Sequence, residues 1–460
     1  MNQDDDLDRL FRTALQRDTA GWQAPVSQRE RRNTLVRARL LASMATVGLA
    51  ALLVVGGLAL HGRLAGGESP IGGGHPPVVG TSPSTLPATA TPYAVTPSAV
   101  AVSPTAPGGP VPPGFVPVSG SGLPDGTIWL LGTAPCSSAP CTSIVRSLDG
   151  GRDWVGIPAP RTPLSGYRSA TGVSQLLFAN AEDGWAYGPE LWSTHDGGAS
   201  WHQVTVAGGG ILSAAVAGDQ LVVAIGAESD QGGTVLLAHA PVTGDDLTVT
   251  DKFFAGSATT FPPPVELAGS ASGAVWALTS AAADGQLLSS VNGGASWTAT
   301  TYPCTQGPIE ADEAAIAAAA PGRLVVACGW GGAAGSESKT VMTSSDGGQS
   351  WSTVAAATEP SPTADGVLLG GDLDGIAADG STMILSSSSG GSELETSADG
   401  GVTWSRTLGL ASGGTPWSSV VFLDPQDVLA VTSAEPQVAA GSAYISTDAG
   451  QTWTELDIPG

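Results

Sequence analysis

The sequence predicts an all-β protein, a seven-bladed β-propeller of four-stranded blades, preceded by one transmembrane helix and a disordered linker. Three observations predict it. One octapeptide recurs through the C-terminal part at near-constant spacing, a short apolar run precedes each copy, and a single uncharged stretch near the N-terminus is separated from the repeats by a proline-rich segment.

The chain divides into residues 1–39, 40–60, 61–117 and 118–460. In the first part, Leu7, Leu10, Phe11, Ala14 and Leu15 recur at helical spacing, which predicts a short amphipathic helix over Asp5–Arg17. Acids open that helix and arginines close it, as its dipole prefers. An apolar stripe on so short a segment calls for a membrane surface or a partner; otherwise the helix forms only transiently. Leu40–Leu60 is a run of 21 residues without a charge. At about 1.5 Å rise per residue it crosses a hydrocarbon core of about 30 Å. Arg29, Arg31, Arg32, Arg37 and Arg39 precede it and only Arg63 follows closely. The excess of arginine places the N-terminus in the cytoplasm and everything after the span outside. A cleaved signal peptide fits less well, because the apolar run is long and no A-x-A site follows.

Residues 61–117 hold thirteen prolines between Pro70 and Pro117, among Thr, Ser, Ala and Gly. Such a composition buries no core and predicts an extended stalk.

The repeats decide the fold. SLDGGRDW (Ser147 to Trp154), THDGGASW (Thr194 to Trp201), SVNGGASW (Ser290 to Trp297), SSDGGQSW (Ser344 to Trp351), SADGGVTW (Ser397 to Trp404) and STDAGQTW (Ser446 to Trp453) share one pattern, and their tryptophans are 47, 96, 54, 53 and 49 residues apart. The interval of 96 is a double step, so a seventh unit lacks the pattern, and its hairpin is expected at Thr234–Thr250. Runs such as TIWLLGT at Thr127, GWAYG at Gly184, LVVAIGA at Leu221, AVWALTS at Ala274, LVVACGW at Leu324, TMILSSS at Thr382 and DVLAVTS at Asp427 supply one β-strand per unit. Units of about fifty residues with four short strands are propeller blades. Within each pattern Asp149, Asp196, Asn292, Asp346, Asp399 and Asp448 are expected to hold a tight turn through side-chain to backbone hydrogen bonds. Trp154, Trp201, Trp297, Trp351, Trp404 and Trp453 then begin the outer strands. A residue that serves every blade alike marks the ring and no particular site.

Of 17 basic residues eight are arginines before residue 40, and six of the 41 acids lie there too, so the remainder carries nine bases against 35 acids. That balance excludes a nucleic-acid ligand. Cys136, Cys141, Cys304 and Cys328 come without C-x-x-C spacing or a histidine run. No metal site and no cofactor are expected. Two local disulfides, Cys136 with Cys141 and Cys304 with Cys328, are expected from proximity, although four cysteines allow three pairings.

The octapeptides resemble the Asp-box, or BNR, repeat of sialidases, xyloglucan-degrading glycosidases, sortilin-type receptors and the photosystem II assembly factor family. GWAYG followed by LWSTHDGGASW looks most like the repeats of the last group, and the resemblance covers roughly residues 115 to 460. A sialidase would need three arginines from different blades, a Tyr and Glu pair and an Asp. The propeller region holds only Arg146, Arg152, Arg161, Arg168, Arg323 and Arg406. Arg146 and Arg152 flank a turn, Arg406 follows a Trp, Arg323 is expected just before an inner strand, and Arg161 and Arg168 share one loop. No three-blade cluster can be assembled from them.

Ligand contact is expected on the loops at the end opposite the Asp-box turns: Pro158–Thr171, Asp251–Glu266, Thr301–Glu313, Trp330–Lys339, Glu359–Asp374 and the loop with Trp417. The candidate ligand-binding residues are Arg161, Tyr167, Arg168, Tyr302, Glu310, Asp312, Glu313, Trp330 and Trp417; no catalytic residue is assigned. The expectation is a membrane-anchored, extracytoplasmic, non-catalytic module for a protein or carbohydrate ligand. The alternatives are a cell-surface glycoside hydrolase of the sialidase or xyloglucanase type, and a sensor that reports an external ligand through the span.

Overall fold

A computed structural model describes residues 108–459, apart from 138–139, 166–168, 230–231, 255–264, 280–284, 306–310, 312, 334–335, 358–369, 389–390, 411–414 and 434–440. The expected amphipathic helix, the span Leu40–Leu60 and the stalk up to Pro107 lie outside the described residues. Among the described residues no helix is long and apolar enough to cross a membrane.

Seven four-stranded antiparallel sheets follow one another along the chain, each with its strands in sequence order. Blade 1 consists of β1 (Val116–Gly122), β2 (Ile128–Pro135), β3 (Pro140–Ser147) and β4 (Val155–Ile157). Blade 2 has β5 (Gln175–Phe178), β6 (Asp183–Tyr187), β7 (Leu191–His195) and β8 (His202–Val204), and blade 3 has β9 (Ile211–Ala217), β10 (Gln220–Ser229), β11 (Gly232–Pro241) and β12 (Thr248–Phe254). Blade 4 has β13 (Val265–Gly269), β14 (Val275–Thr279), β15 (Leu287–Ser290) and β16 (Thr298–Thr300), and blade 5 has β17 (Glu313–Ala320), β18 (Arg323–Ala333), β19 (Ser336–Ser344) and β20 (Ser352–Ala357). Blade 6 has β21 (Asp372–Asp379), β22 (Thr382–Ser388), β23 (Ser392–Ser397) and β24 (Ser405–Leu410), and blade 7 has β25 (Trp417–Phe422), β26 (Val428–Thr432), β27 (Ala443–Ser446) and β28 (Thr454–Glu455). The double step in the repeat is blade 3, whose β11–β12 hairpin falls where the missing pattern was expected.

The apolar runs of the sequence are the second strands. β14 and β26 are buried at every position, because each lies between two neighbouring blades and has no solvent face. The molecule accordingly has no single core. Apolar clusters fill each of the seven gaps between blades, two of them in the gap between blades 3 and 4. Between blades 1 and 2, Trp129 stacks on Phe178 with centroids 4.0 Å apart and planes 5° from parallel.

The Asp-box turns share one hydrogen-bond scheme. Ser344 Oγ accepts the Gly348 N–H at 2.9 Å and donates to Asp346 Oδ1 at 2.7 Å, while that same oxygen accepts the N–H groups of Gln349 and Ser350. The first N–H of the turn reaches across to the hairpin joining the blade's first two strands, as from Gly347 to the Gly322 carbonyl at 3.0 Å or from Gly400 to Ser381 at 2.9 Å. Blade 3 makes the same link without a box, from Val242 to Asp219 at 2.9 Å. Its turn is also held from blade 2, where His195 lies 2.7 Å from Asp183 and 3.3 Å from Asp245. Burial disfavours the imidazolium there, but the hydrogen bonds and charges of Asp183 and Asp245 outweigh it and raise the His195 pKa. Four box tryptophans bond the preceding blade: Trp201 to the Pro158 carbonyl, Trp297 to Thr250 Oγ1, Trp351 to the Thr301 carbonyl and Trp453 to Thr407 Oγ1.

The innermost strands present amides toward the preceding blade, and side-chain oxygens answer them. Leu176 and Phe178 donate to Ser119 and Ser121, Leu267 to Ser213, Ile316 to Glu266, Leu373 to Glu337, Trp417 to Asp374, and Gly120 to Ser419. At the remaining junction, between blades 2 and 3, Ile211 donates to the Gly188 carbonyl at 2.7 Å. Blade 7 meets blade 1 through Ser419 and the cluster joining Leu429 and Val431 to Phe115, Ile128 and Leu130.

The sixth box has Ala449 where the others have their first glycine, and Ala449, at φ 59°, is the single non-glycine with positive φ among the described residues. A left-handed conformation disfavours any Cβ, so Ala449→Gly is expected to raise stability by up to about 1 kcal/mol, read by denaturant unfolding. The carboxyl groups of Asp346 and Asp399 are held down at about 2 by hydrogen bonds, led by those from Ser350 and Thr403 respectively. Their stabilising effect is present above pH 3.8 and lost as the pH falls toward 2. Exchanging both for Asn, the residue blade 4 already uses at Asn292, is expected to flatten the acid limb of the stability curve in pH-dependent thermal unfolding.

Candidate functional site

Because the box turns gather at one end of the ring, the connections between blades and between second and third strands emerge at the other. Cys136–Cys141 closes the β2–β3 turn there, and Cys304–Cys328 ties the segment between blades 4 and 5 to β18, as the two local pairings anticipated. Among the described residues no cluster of His, Cys, Asp and Glu has the arrangement of a metal site.

The five candidate ligand residues that are described do not gather in one place. Tyr167, Arg168, Glu310 and Asp312 lie outside the described residues. Arg161 is exposed on the segment leading out of blade 1. Tyr302 packs into the gap between blades 4 and 5 and lies over Gly285, where its ring would meet any Cβ. Glu313 opens β17 and is half-buried. Trp330 and Trp417 are not loop residues. Trp330 continues β18 and Trp417 starts β25, and both rings fill gaps between blades, at 5 % and 1 % exposure. The reason is that β18 and β19 run on as a long hairpin, so Trp330–Lys339 is mostly strand, and Lys339 has no exposed surface. Arg323 likewise begins a second strand, not an inner one.

Two open surfaces stand out among the described residues. A central cavity of 270 Å³ is walled by the inner strands, with Gln175, Tyr187, Ser213, Glu266, Asp374 and Ser419 among its lining. Glu266 and Asp374, its two carboxylates, each accept a backbone N–H of the following blade. A wider groove of 490 Å³ lies on blade 1 beside the Cys136–Cys141 turn, where Ile157, Ala159, Pro160 and Pro163 give an apolar wall and Thr142, Thr162 and Arg161 the polar groups. Thr162 is fixed by its bond to Glu190 at 2.7 Å, and Glu190 in turn accepts the Trp192 indole N–H at 2.9 Å.

A third feature was not anticipated. Between blades 5 and 6 lie Glu337, Lys339 and Glu395, at 3 %, 0 % and 0 % exposure. Lys339 Nζ donates to the carbonyls of Gly370 and Gly371 at 2.8 and 2.7 Å, and Glu337 accepts the Leu373 N–H at 2.8 Å. Burial pushes the carboxyl groups of Glu337 and Glu395 up to about 8 and lowers the Lys339 pKa. The signal in the sequence is the pair of runs SESKT and SELETS, where charged residues two apart share one face of a strand.

The BNR/Asp-box repeat family matches residues 444–455, which span β27, its box turn and the start of β28. The chain is a seven-bladed propeller that carries a BNR/Asp-box repeat at these residues. No curated protein matches it in sequence. Among solved structures, YCF48 from Cyanidioschyzon merolae is similar over 74 % of this chain and 98 % of that chain, at 15 % identity and a TM-score of 0.47. YCF48 bound to D1 peptide is similar over 72 % and 92 %, at 16 % identity and 0.46. A polysaccharide lyase, the PL25 ulvan lyase bound to -[GlcA(1-4)Rha3S]-, is similar over 78 % and 98 %, at 11 % identity and 0.50. These similarities are of fold.

Asp374 separates the roles a cavity carboxylate can play. Asp374→Ala leaves the buried Trp417 N–H without this acceptor and is expected to cost about 1–3 kcal/mol in denaturant unfolding, whereas Asp374→Asn, which keeps an acceptor oxygen, is expected to cost much less.

Proposed function

We propose that this chain is a membrane-anchored, extracytoplasmic β-propeller that binds a protein or glycan without catalysing its turnover, and that the groove beside Arg161 makes the contact. The observation carrying this reading is the use to which the acids at the open end are put. Glu266 and Asp374 hold backbone amides of the ring, and Glu337 and Glu395 are buried against Lys339. Hydrolysis by two carboxylates needs both presented to one substrate bond from opposite sides. The groove, in contrast, offers an apolar wall, fixed hydroxyl groups and an exposed guanidinium, the composition of a recognition surface on a rigid scaffold. Anchoring rests on the uncharged run Leu40–Leu60 and the arginines before it.

The test uses the full chain purified in detergent, presented to glycan and peptide arrays and to a panel of glycosides. Retention without turnover is expected, and Arg161→Ala is expected to weaken retention by about tenfold, the effect of losing one good polar contact. Turnover that disappears in Glu266→Gln or Asp374→Asn would establish a hydrolase instead. Recovery of the chain in the soluble fraction after carbonate washing of membranes would remove the anchor.

A further inference from the structure

The charged groups between blades 5 and 6 serve neither the groove nor the central cavity directly. They comprise five acids and two bases: Glu313 on β17, Glu337 and Lys339 on β19, Asp372 on β21, Glu393 and Glu395 on β23, and Arg406 on β24. Arg406 is occupied by Glu393 at 2.8 Å. Glu395 is fully buried, and among the described residues neither of its oxygens has a hydrogen-bond partner. A carboxylate in that position has no donor to hold its charge, so it carries a proton.

What the cluster grips is specific. Gly370 and Gly371 are tied by Lys339 and Leu373 by Glu337, which fixes the backbone at the start of β21 from the neighbouring blade. The next residue, Asp374, lines the central cavity and accepts the Trp417 N–H of blade 7. Movement of these few residues is therefore felt in the cavity wall and at the following junction.

We propose that Glu337, Lys339 and Glu395 form a proton-dependent clamp, in which protons held on the two acids keep blade 5 closed on β21 and their loss loosens the cavity wall at Asp374. Losing both protons adds two negative charges at Glu337 and Glu395, buried positions with little water to screen them. Both acids bind protons more tightly in the folded chain than in the unfolded one. Their contribution to global stability therefore declines as pH rises from 4.5 toward about 8, and above that the native clamp itself ionises.

The clamp is independent of which ligand the groove takes, and its test needs none. Amide hydrogen exchange of the full chain, corrected for the intrinsic rate, is followed for the peptide covering Asp372–Asp379 at pH 6.5 and pH 9.5. Protection is expected to fall by about tenfold at the higher pH, as the native acids pass their midpoint, while a peptide from β2 keeps its protection. In Glu395→Gln the fall is expected to be clearly smaller, and in Glu337→Gln/Glu395→Gln absent. Should the double variant not fold, the single variant decides. An unchanged protection in the native chain, or an equal fall in Glu395→Gln, overturns the proposal.

Discussion

The ring stands on the answer each blade gives to the next blade's unpaired amides. An inner strand has a partner on one side only, and its remaining N–H groups face a neighbour that is another sheet, not another strand. Left without acceptors, such groups cost free energy comparable to a lost hydrogen bond. Ser119, Ser213, Glu266, Glu337, Asp374 and Ser419 supply those acceptors from the neighbouring blade, and Gly188 does so with its carbonyl. This use of side-chain oxygens explains why the lumen is rich in serine and acid yet need not be a reaction chamber. It also makes the cavity's polarity a property of the architecture.

Outward from the lumen the same economy applies at other radii. The second strands bury both faces, so each gap carries its own apolar cluster, and the outer rim is stitched by indole N–H groups reaching back one blade. Blade 3 lacks a box and relies on the Val242–Asp219 link and on His195 from blade 2. Between blades 5 and 6, Glu337, Lys339 and Glu395 are buried together where other gaps are filled by apolar side chains.

Much of this was legible in the sequence, for reasons that can be named. The turn within the box is local, its Ser and Asp side-chain bonds spanning at most four residues, so its Ser, Asp and Gly must appear together in order. Runs such as LVVAIGA and AVWALTS are continuous because a strand buried on both faces has no polar side to show. The ends of loops were not legible: Trp330 and Trp417 looked like exposed aromatics in connections, whereas the strands extend to include them and the gaps consume their rings. Nor could the sequence show that Glu337, Lys339 and Glu395 meet, since two strands some fifty residues apart must first be placed face to face. Even so, the alternation within SESKT and SELETS was visible, and charged residues repeating every second position on an interior strand are a sign to look for.

One consequence lies in time. Ring closure exchanges no strand, since blade 1 takes all four of its strands from Val116–Ile157 and blade 7 all four from Trp417–Glu455. The bond between Ser119 and Ser419 spans a sequence separation of 300 residues. Ile128 and Leu130 thus wait with an open apolar flank until Leu429 and Val431 have been made. A growing chain can stack blades one after another, but it remains an open arc with two greasy ends until blade 7 has been made. The risk of sticking to another nascent copy is concentrated in that interval, and it ends in a single docking step.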